Sequence, residues 1–553
     1  MKLDSGVIAG IKEVTVRLQA RLDGGEDEVI ATLRAVATGE RSMAEALGDE
    51  EQRRARALFG LVATVGPGKI WARVQPLVAA AVTGAGGGAE ALHTGALGAG
   101  FHWPADLEGI AKLDEHAKMR LAVLLLSYVF DNDFHYPQPE TGVYDVAGSV
   151  FEKLKWVYRY WFDQLEVAQK DSGLEGFFAS QVLDFPPVPL GPGDEVLGRV
   201  SLSCAGDLLA VDVLTPENTA HLFDGIADFY STADIVSANL ESTVDETKPI
   251  GRHQAPGEAA RMNTSQAMFR RFRDDAKINF FSTATNHALD WGEDGVLATL
   301  DVLKASGADY AGTAASHAEQ DDVVVVERNG IRIGLLSFTF DLNDHPVPDG
   351  KPYLVNEVRF NDADPAPDYA LVEKHVAAAK AKGAEFIVAY CHWGWEFEMY
   401  PHPNITRAAR EIVDRGVDVI LGNHPHVSQP AQVVPRAGKP DALVTYAFGD
   451  FVSYHPESRN SALAYAVRFD IVKTRTGDGT LTALTNLQSL PMYIVNAKRD
   501  DGTVDCRIVP FADVLADPDG YGLTERQKAE LPHLRDAVWD KILAPLSHIP
   551  MHP

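Results

Sequence analysis

From residue 198 onward the chain alternates between two textures. Short β-branched or apolar runs ("RVSLSCA", "DIVSANL", "INFFSTA", "DVVVVER", "IRIGLLSF", "EFIVAYC", "VDVILG" and "ALVTYAFG") are separated by stretches with helical spacing. Among the latter are "TAHLFDGIADFYST", "SQAMFRRFRDD", "GEDGVLATLDVLKASG", "YALVEKHVAAAKAKG" and "NITRAAREIVDRG". Strands that alternate with helices build an α/β domain in which helices cover a parallel or mixed sheet. Ligands of such sheets gather beyond the carboxyl ends of the strands, so the residues that follow each strand are the first place to look for chemistry.

Those residues are chemically biased. The strand ends carry Gly206-Asp207, Asn239-Leu240-Glu241, Asn286-His287, His392-Trp393-Gly394, Asn423-His424-Pro425-His426 and Gly449-Asp450. Singly, each has a bland reading. Asp and Asn often start turns because their side chains bond nearby amides, and a lone His after a strand is more often structural than a ligand. That reading is kept for Asp450, and His402 and His455 are read as structural or exposed. Jointly, Asp207, Glu241, Asn286, His392, His424 and His426 offer carboxylate, amide and imidazole donors that suit one or two divalent ions of the zinc, manganese or iron type. A bridging carboxylate relieves repulsion between two cations about 3.5–4 Å apart. Pro425 fixes the turn between the paired imidazoles.

The 553 residues exceed what one core can organise. Segments before residue 184, from "DEVIATLRAVATGERSMAEAL" to "VFEKLKWVYRYWFDQLEVAQK", place apolar residues at helical intervals. "DFPPVPLGPGDEV" then interrupts them with four prolines and two glycines. The expected organisation is a helical domain over 1–183, a linker over 184–197, the α/β domain over 198–515 and a helical extension over 516–553. The aromatic cluster "WVYRYWF" fits either a dimer surface or a lid over the sheet edge.

Lys and Arg total 50 against 78 Asp and Glu, a net charge of −28. With no strong basic patch, a nucleic-acid partner is not expected. No apolar run is long enough to span a bilayer, and the N-terminus lacks the features of a signal peptide. Three cysteines, Cys204, Cys391 and Cys506, make no framework; Cys204 and Cys391 read as small buried residues. A soluble, cytoplasmic protein is expected.

The segments "AGDLLAVD", "ADIVSANLEST", "INFFSTATNHALDWGEDGVLATLDVLKASGADYAGT", "IGLLSFTF", "AYCHWGWEFE", "VDVILGNHPHVSQP" and "YAFGDFV" together resemble the calcineurin-like metallophosphoesterase superfamily, and within it the poly-γ-glutamate capsule biosynthesis (CapA) family. The resemblance implies a metallophosphoesterase-like layered α/β sheet domain, here preceded by a mainly helical N-terminal domain. It also implies roles. Asp207 and His426 would bind a first metal, and Asn286, His392 and His424 a second. Glu241 would bridge them, and His287 would stand beside the substrate as a general acid. One departure stands out: where the superfamily has Asp-x-His, this chain has Asp207-Leu208-Leu209, which leaves the first metal with fewer ligands and admits a single ion or a second recruited with substrate. Asn239, Arg261 and Glu396 are candidate substrate contacts, Glu396 and Glu398 also being placed to orient His392, and Trp393 and Trp395 are candidate walls of the pocket.

Three functions follow. The first is a metal-dependent hydrolase in which activated water attacks a phosphoester. The second is a metal-dependent enzyme acting on an amide, γ-glutamyl or peptide-like small substrate in biosynthesis. The third is a non-catalytic binding or assembly subunit. The expected substrate is a small or peptide-like anion.

Overall fold

Two apolar cores divide the strand residues between them. In β1 (Glu195–Leu208), Val200, Leu202 and Cys204 enter the larger core, and Ala205 and Leu208 the smaller. Side chains alternate along a strand, so Leu208 would share the face of Leu202 were there no interruption. A shift of register between Cys204 and Asp207 supplies it. The bulge turns Leu208 outward and leaves Asp207 facing in, the re-aiming that bulges commonly perform beside active sites. The computed structural model from which this is read describes residues 131–137, 150–162, 165–255, 259–363, 365–477, 479–499 and 501–549. The helical segments expected before residue 131 lie outside them.

Helix α1 (Val150–Trp161) precedes β1. After β2 (Ile235–Leu240), the hairpin β3 (Gly251–His253) and β4 (Arg261–Asn263) leads to β5 (Phe280–Ser282), helix α2 (Gly292–Ser306) and β6 (Asp309–Ala311). Next come β7 (Val324–Arg328), β8 (Ile331–Thr339), α3 (Ala370–Ala381), β9 (Phe386–His392), α4 (Pro403–Asp414) and β10 (Val419–Asn423). The chain continues through β11 (Ser428–Val434), β12 (Ala442–Phe448), β13 (Asp450–Val452) and the long antiparallel β14 (Leu463–Thr476), β15 (Gly479–Lys498) and β16 (Val504–Pro510). Helix α5 (Glu525–His533) follows, opened by a capping box between Thr524 and Gln527.

The strands form two mixed sheets. One has the order β16-β15-β14-β1-β2-β5-β6, with β13 added beside β1; the other runs β11-β12-β10-β9-β8-β7. β1, β2, β5 and β6 are parallel, as are β8, β9, β10 and β12. The inner faces share the larger core, where the Phe280 and Tyr390 rings of opposite sheets lie 4.9 Å apart. Helices cover the outer faces: Val372, Val376 and Ala379 of α3 and Ile405, Ala408, Ala409 and Ile412 of α4 join the second sheet, while Leu303 of α2 packs on the first. This is the layered α/β architecture that the alternating sequence predicts. All three cysteines are free and buried. Among the described residues no helix is long and apolar enough to cross a membrane.

Two local expectations change. The helical spacing of "VFEKLKWVYRYWFDQLEVAQK" runs to Lys170, but α1 ends at Trp161. Leu165 takes a left-handed φ of 38°, and the Glu166 carboxylate meets Arg459, Asn460 and His533 instead of extending the helix. "TAHLFDGIADFYST" likewise yields only a single 3-10 turn, Asp224–Ile226, and the short helix Ala227–Tyr230.

Candidate metal centre

Strand register brings the polar strand ends to one level. Asp207 lies opposite Asn239, Asn239 opposite Ser282, and His392 opposite both Thr339 and Asn423. Close backbone packing keeps the ends together. A Cβ at Gly206 would meet Gly449 O at 1.9 Å, and one at Gly422 would meet Tyr446 O at 2.1 Å, so only glycine fits at either place.

Asp207, Glu241, Asn286, His392, His424 and His426 converge, all buried. His392 Nε2 is 2.8 Å from Asn286 Oδ1 and 3.3 Å from Glu241 Oε1. The Asn239 amide spans Asp207 Oδ1 at 2.7 Å and His392 Nδ1 at 3.0 Å, and the His424 amide donates to Asp207 Oδ2 at 3.1 Å. His426 Nε2 stands 3.8 Å from Glu241 Oε1. Within two overlapping sets, Glu241 with His424 and His426, and Asp207 with Glu241 and His392, one donor atom per residue lies within 4.8 Å of the others. His424 and His426 adopt φ of +106° and +55°, backbone conformations that cost non-glycine residues energy and concentrate at functional sites.

The donors fit a cation better than they fit one another. Both Glu241 carboxylate oxygens and both His424 ring nitrogens are buried without a hydrogen-bond partner. Such atoms are costly to leave unpaired, and a divalent cation would satisfy the Glu241 oxygens and the lone-pair nitrogen of His424. Electrostatics reinforce the point. Burial, with the neighbouring Glu241 charge, pushes the Asp207 carboxyl well above its usual range. Burial opposes ionisation of Glu241 too, but His426 and His392 outweigh it and hold its carboxyl low. Burial drives His424 well below an ordinary imidazole, so the ring is neutral and one of its nitrogens carries a free lone pair available to a ligand.

His287 stands apart from this donor set. Its Nδ1 is 2.8 Å from Asp290 Oδ2, which also accepts from the Met262 amide at 2.6 Å. Burial acts against the imidazolium, yet the Asp290 carboxylate prevails and raises the His287 pKa. Asn343 stands between His287 and the centre, its carbonyl oxygen accepting from Asn286 Nδ2 at 3.2 Å.

The remaining candidates fall elsewhere. Arg261 opens β4 and lies over the Trp291 ring at 5.5 Å, outside the donor set. Glu396 accepts from the Trp156 indole of α1. Glu398 pairs with Arg159 of α1 at 2.8 Å, and burial lifts its carboxyl to about 7. Trp393 is fully buried and bonds Tyr446 O at 2.9 Å, a core position and not a pocket wall. The Trp395 ring lies 4.6 Å from that of His402, which caps α4.

The sequence reading gave Asp450 the role of a turn residue and read His455 as structural or exposed. Asp450 is buried, pairs in register with Asp207, and accepts from His426 and His455 together. Burial opposes its charge, but those two imidazoles outweigh it and hold its carboxyl at about 2. The signal lay in "GDF", whose Asp450 opens β13, the short strand paired in parallel with β1, a pairing that the sequence alone does not reveal.

Comparison with known proteins agrees with this architecture. A family model described as bacterial capsule synthesis protein PGA_cap matches residues 201–455. The capsule biosynthesis protein CapA of Bacillus anthracis is 24% identical over 320 residues, which cover 57% of this chain and 67% of that protein. The PGA biosynthesis protein CapA of Bacillus subtilis (strain 168) is 27% identical over 309 residues, 54% of this chain and 74% of that one. All six donors fall inside the matched segment, and over residues 201–455 the chain is similar to the PGA_cap (CapA) family, which lies in the metallophosphoesterase-like superfamily.

Proposed function

We propose that this protein is a metal-dependent hydrolase whose first choice of bond is a phosphoester. Asp207, Glu241, Asn286, His392, His424 and His426 would hold one or two divalent cations. The observation that carries the reading is the set of under-satisfied atoms: two carboxylate oxygens of Glu241, of which Oε1 is met by His392 and His426 at 3.3 and 3.8 Å, and two ring nitrogens of His424 without a hydrogen bond, all buried within one cluster. Mixed nitrogen and oxygen donors favour zinc, manganese or iron over calcium or magnesium. A cation bound there would supply Lewis acidity, acidifying water and drawing charge from the oxygens on the atom under attack.

The chain's own groups do the rest. Asn239 braces Asp207 and His392. Asp290 fixes the His287 ring through Nδ1, leaving Nε2 to carry the proton that passes to the leaving group. A raised imidazole pKa suits that task, since a general acid must hold its proton near neutral pH. The enclosing side chains exclude bulk water, which strengthens each of these interactions.

A second reading takes the same residues to an amide or γ-glutamyl bond. It is favoured by the names of the two relatives, both of which are capsule or PGA biosynthesis proteins. One set of measurements separates the readings. The purified chain should retain at least one zinc, manganese or iron ion by elemental analysis, and His424→Ala should lower that content. With metal added, turnover of an aryl phosphate supports the phosphoester reading, and turnover of γ-glutamyl peptides alone supports the second. Metal bound with neither substrate cleaved overturns the hydrolase reading, and absence of metal leaves a binding or assembly role.

A further inference from the structure

The first strand-end motif lacks an imidazole at Leu209, and the neighbouring strand occupies the space beside it. Leu209 packs with Val211, Ala260 and Met262, and its amide donates to Val452 O at 2.7 Å. β13 therefore runs along the end of β1, with Asp207 opposite Asp450 and Leu208 opposite Val452. Three residues on, His455 returns to the same strand end. Its Nδ1 is 2.7 Å from Asp450 Oδ2 and 3.2 Å from Ser453 Oγ. The other carboxylate oxygen, Oδ1, is 2.9 Å from His426 Nδ1. The two imidazole centroids are 4.7 Å apart, with Asp450 buried between them.

We propose that Asp450 is a positioning residue of the metal centre, clamping His426 with Nε2 directed at Glu241 and held in turn by His455. A carboxylate accepts but does not donate, so its two oxygens hold Nδ1 of each ring as the donor, which for His426 leaves Nε2 as the nitrogen that faces the ion. In other metal sites such a carboxylate fixes ring orientation and tautomer, and its loss costs about 10–100-fold in metal affinity. Here the demand is sharper, because Leu209 gives no second imidazole to hold the ion on this side. The β13 segment thus does by orientation what the missing ligand would have done by coordination. An amide at residue 450 would turn an N–H toward one of the two rings and release it.

The inference rests on the metal reading, and two measurements keep their fates separate. Nitrogen-15 NMR of the metal-free chain should find His426 Nδ1 protonated and hydrogen-bonded, and Asp450→Asn should lose that hydrogen bond. A bare His426 Nδ1 in the native chain overturns the clamp, whatever metal does. Titration with zinc or manganese should then show Asp450→Asn weakened about 10–100-fold, with far-UV dichroism unchanged. Affinity within twofold of the native chain overturns the proposal, and a native chain that binds no ion overturns the metal reading beneath it. Should Asp450→Asn not fold, His455→Ala and His455→Asn decide. The asparagine keeps an N–H donor for Asp450 and should bind metal at least fivefold more tightly than the alanine; equal affinities overturn the proposal.

Discussion

At the scale of single residues, His424 shows how the centre trades stability for readiness. Its backbone sits at φ +106°, both ring nitrogens are buried without partners, and burial keeps the ring neutral. Each of these features costs folding free energy, and binding a cation only to the native state recovers it. A ligand present at 100 times its dissociation constant adds about 2.7 kcal/mol. Calorimetric melting should therefore rise when zinc or manganese is added to EDTA-stripped native protein, and His424→Ala should lose most of that rise; an equal rise in both would refute the role. The residue types of the centre were legible in the sequence because each follows an apolar run. Asp450 and His455 were not. Their significance lies in contacts with His426, 24 residues from Asp450 in sequence, and a carboxylate that anchors a ligand looks, in one dimension, like a turn.

At the scale of elements, the centre depends on how closely strand ends approach. β1 and β13 meet backbone to backbone at Gly206 and Gly449, and a methyl group at residue 206 has only 1.9 Å to the Gly449 carbonyl oxygen. Gly206→Ala should therefore push the strands apart, costing roughly 1–3 kcal/mol or more and lowering metal content. Gly176→Ala, in the short helix Leu174–Ala179, is the control: nothing lies within 4 Å of its added Cβ, and a helical glycine replaced by alanine should gain about 0.5–1 kcal/mol. Urea unfolding with elemental analysis of the folded fraction checks both, and equal stability for the two variants would refute the packing argument. Strands whose runs are uniformly apolar or β-branched, such as β8, β9 and β12, were readable. β14 and β15 were not read as strands. They are buried over much of both faces, interrupted by Arg468 and Asp470 and by Pro491, so the period-two alternation that marks a half-exposed strand is masked. The early end of α1 escaped for another reason: the apolar spacing continues, but tertiary partners of Glu166 outcompete the next turn.

At the scale of the whole molecule, Glu166 joins three distant stretches of chain. Its carboxylate meets Arg459 and Asn460, just past the centre, and His533 at the end of α5. Beyond α5, Leu534, Val538, Trp539 and Leu546 enter the same core as both sheets, so this junction ties the C-terminal helices to the domain that carries the donors. Burial alone would raise the carboxyl, but Arg459, His533 and Asn460 outweigh it and hold it at about 2, below the 4.5 of a free glutamate. The sign follows from linkage. A folded pKa below the unfolded one favours the native state wherever the carboxylate is charged, so the contribution is complete above about pH 4.5 and vanishes as pH falls toward 2. A displacement from 4.5 to about 2 corresponds to about 3 kcal/mol. Glu166→Gln should then be less stable than the native chain by up to about 3 kcal/mol at pH 7. In urea unfolding at pH 7, 5 and 3.5 the gap should persist at the first two and narrow at the third, in a molecule whose net charge of −28 is itself being neutralised over that range. A gap that stays constant down to pH 3.5 would mean that the junction is held by packing and not by the Glu166 charge.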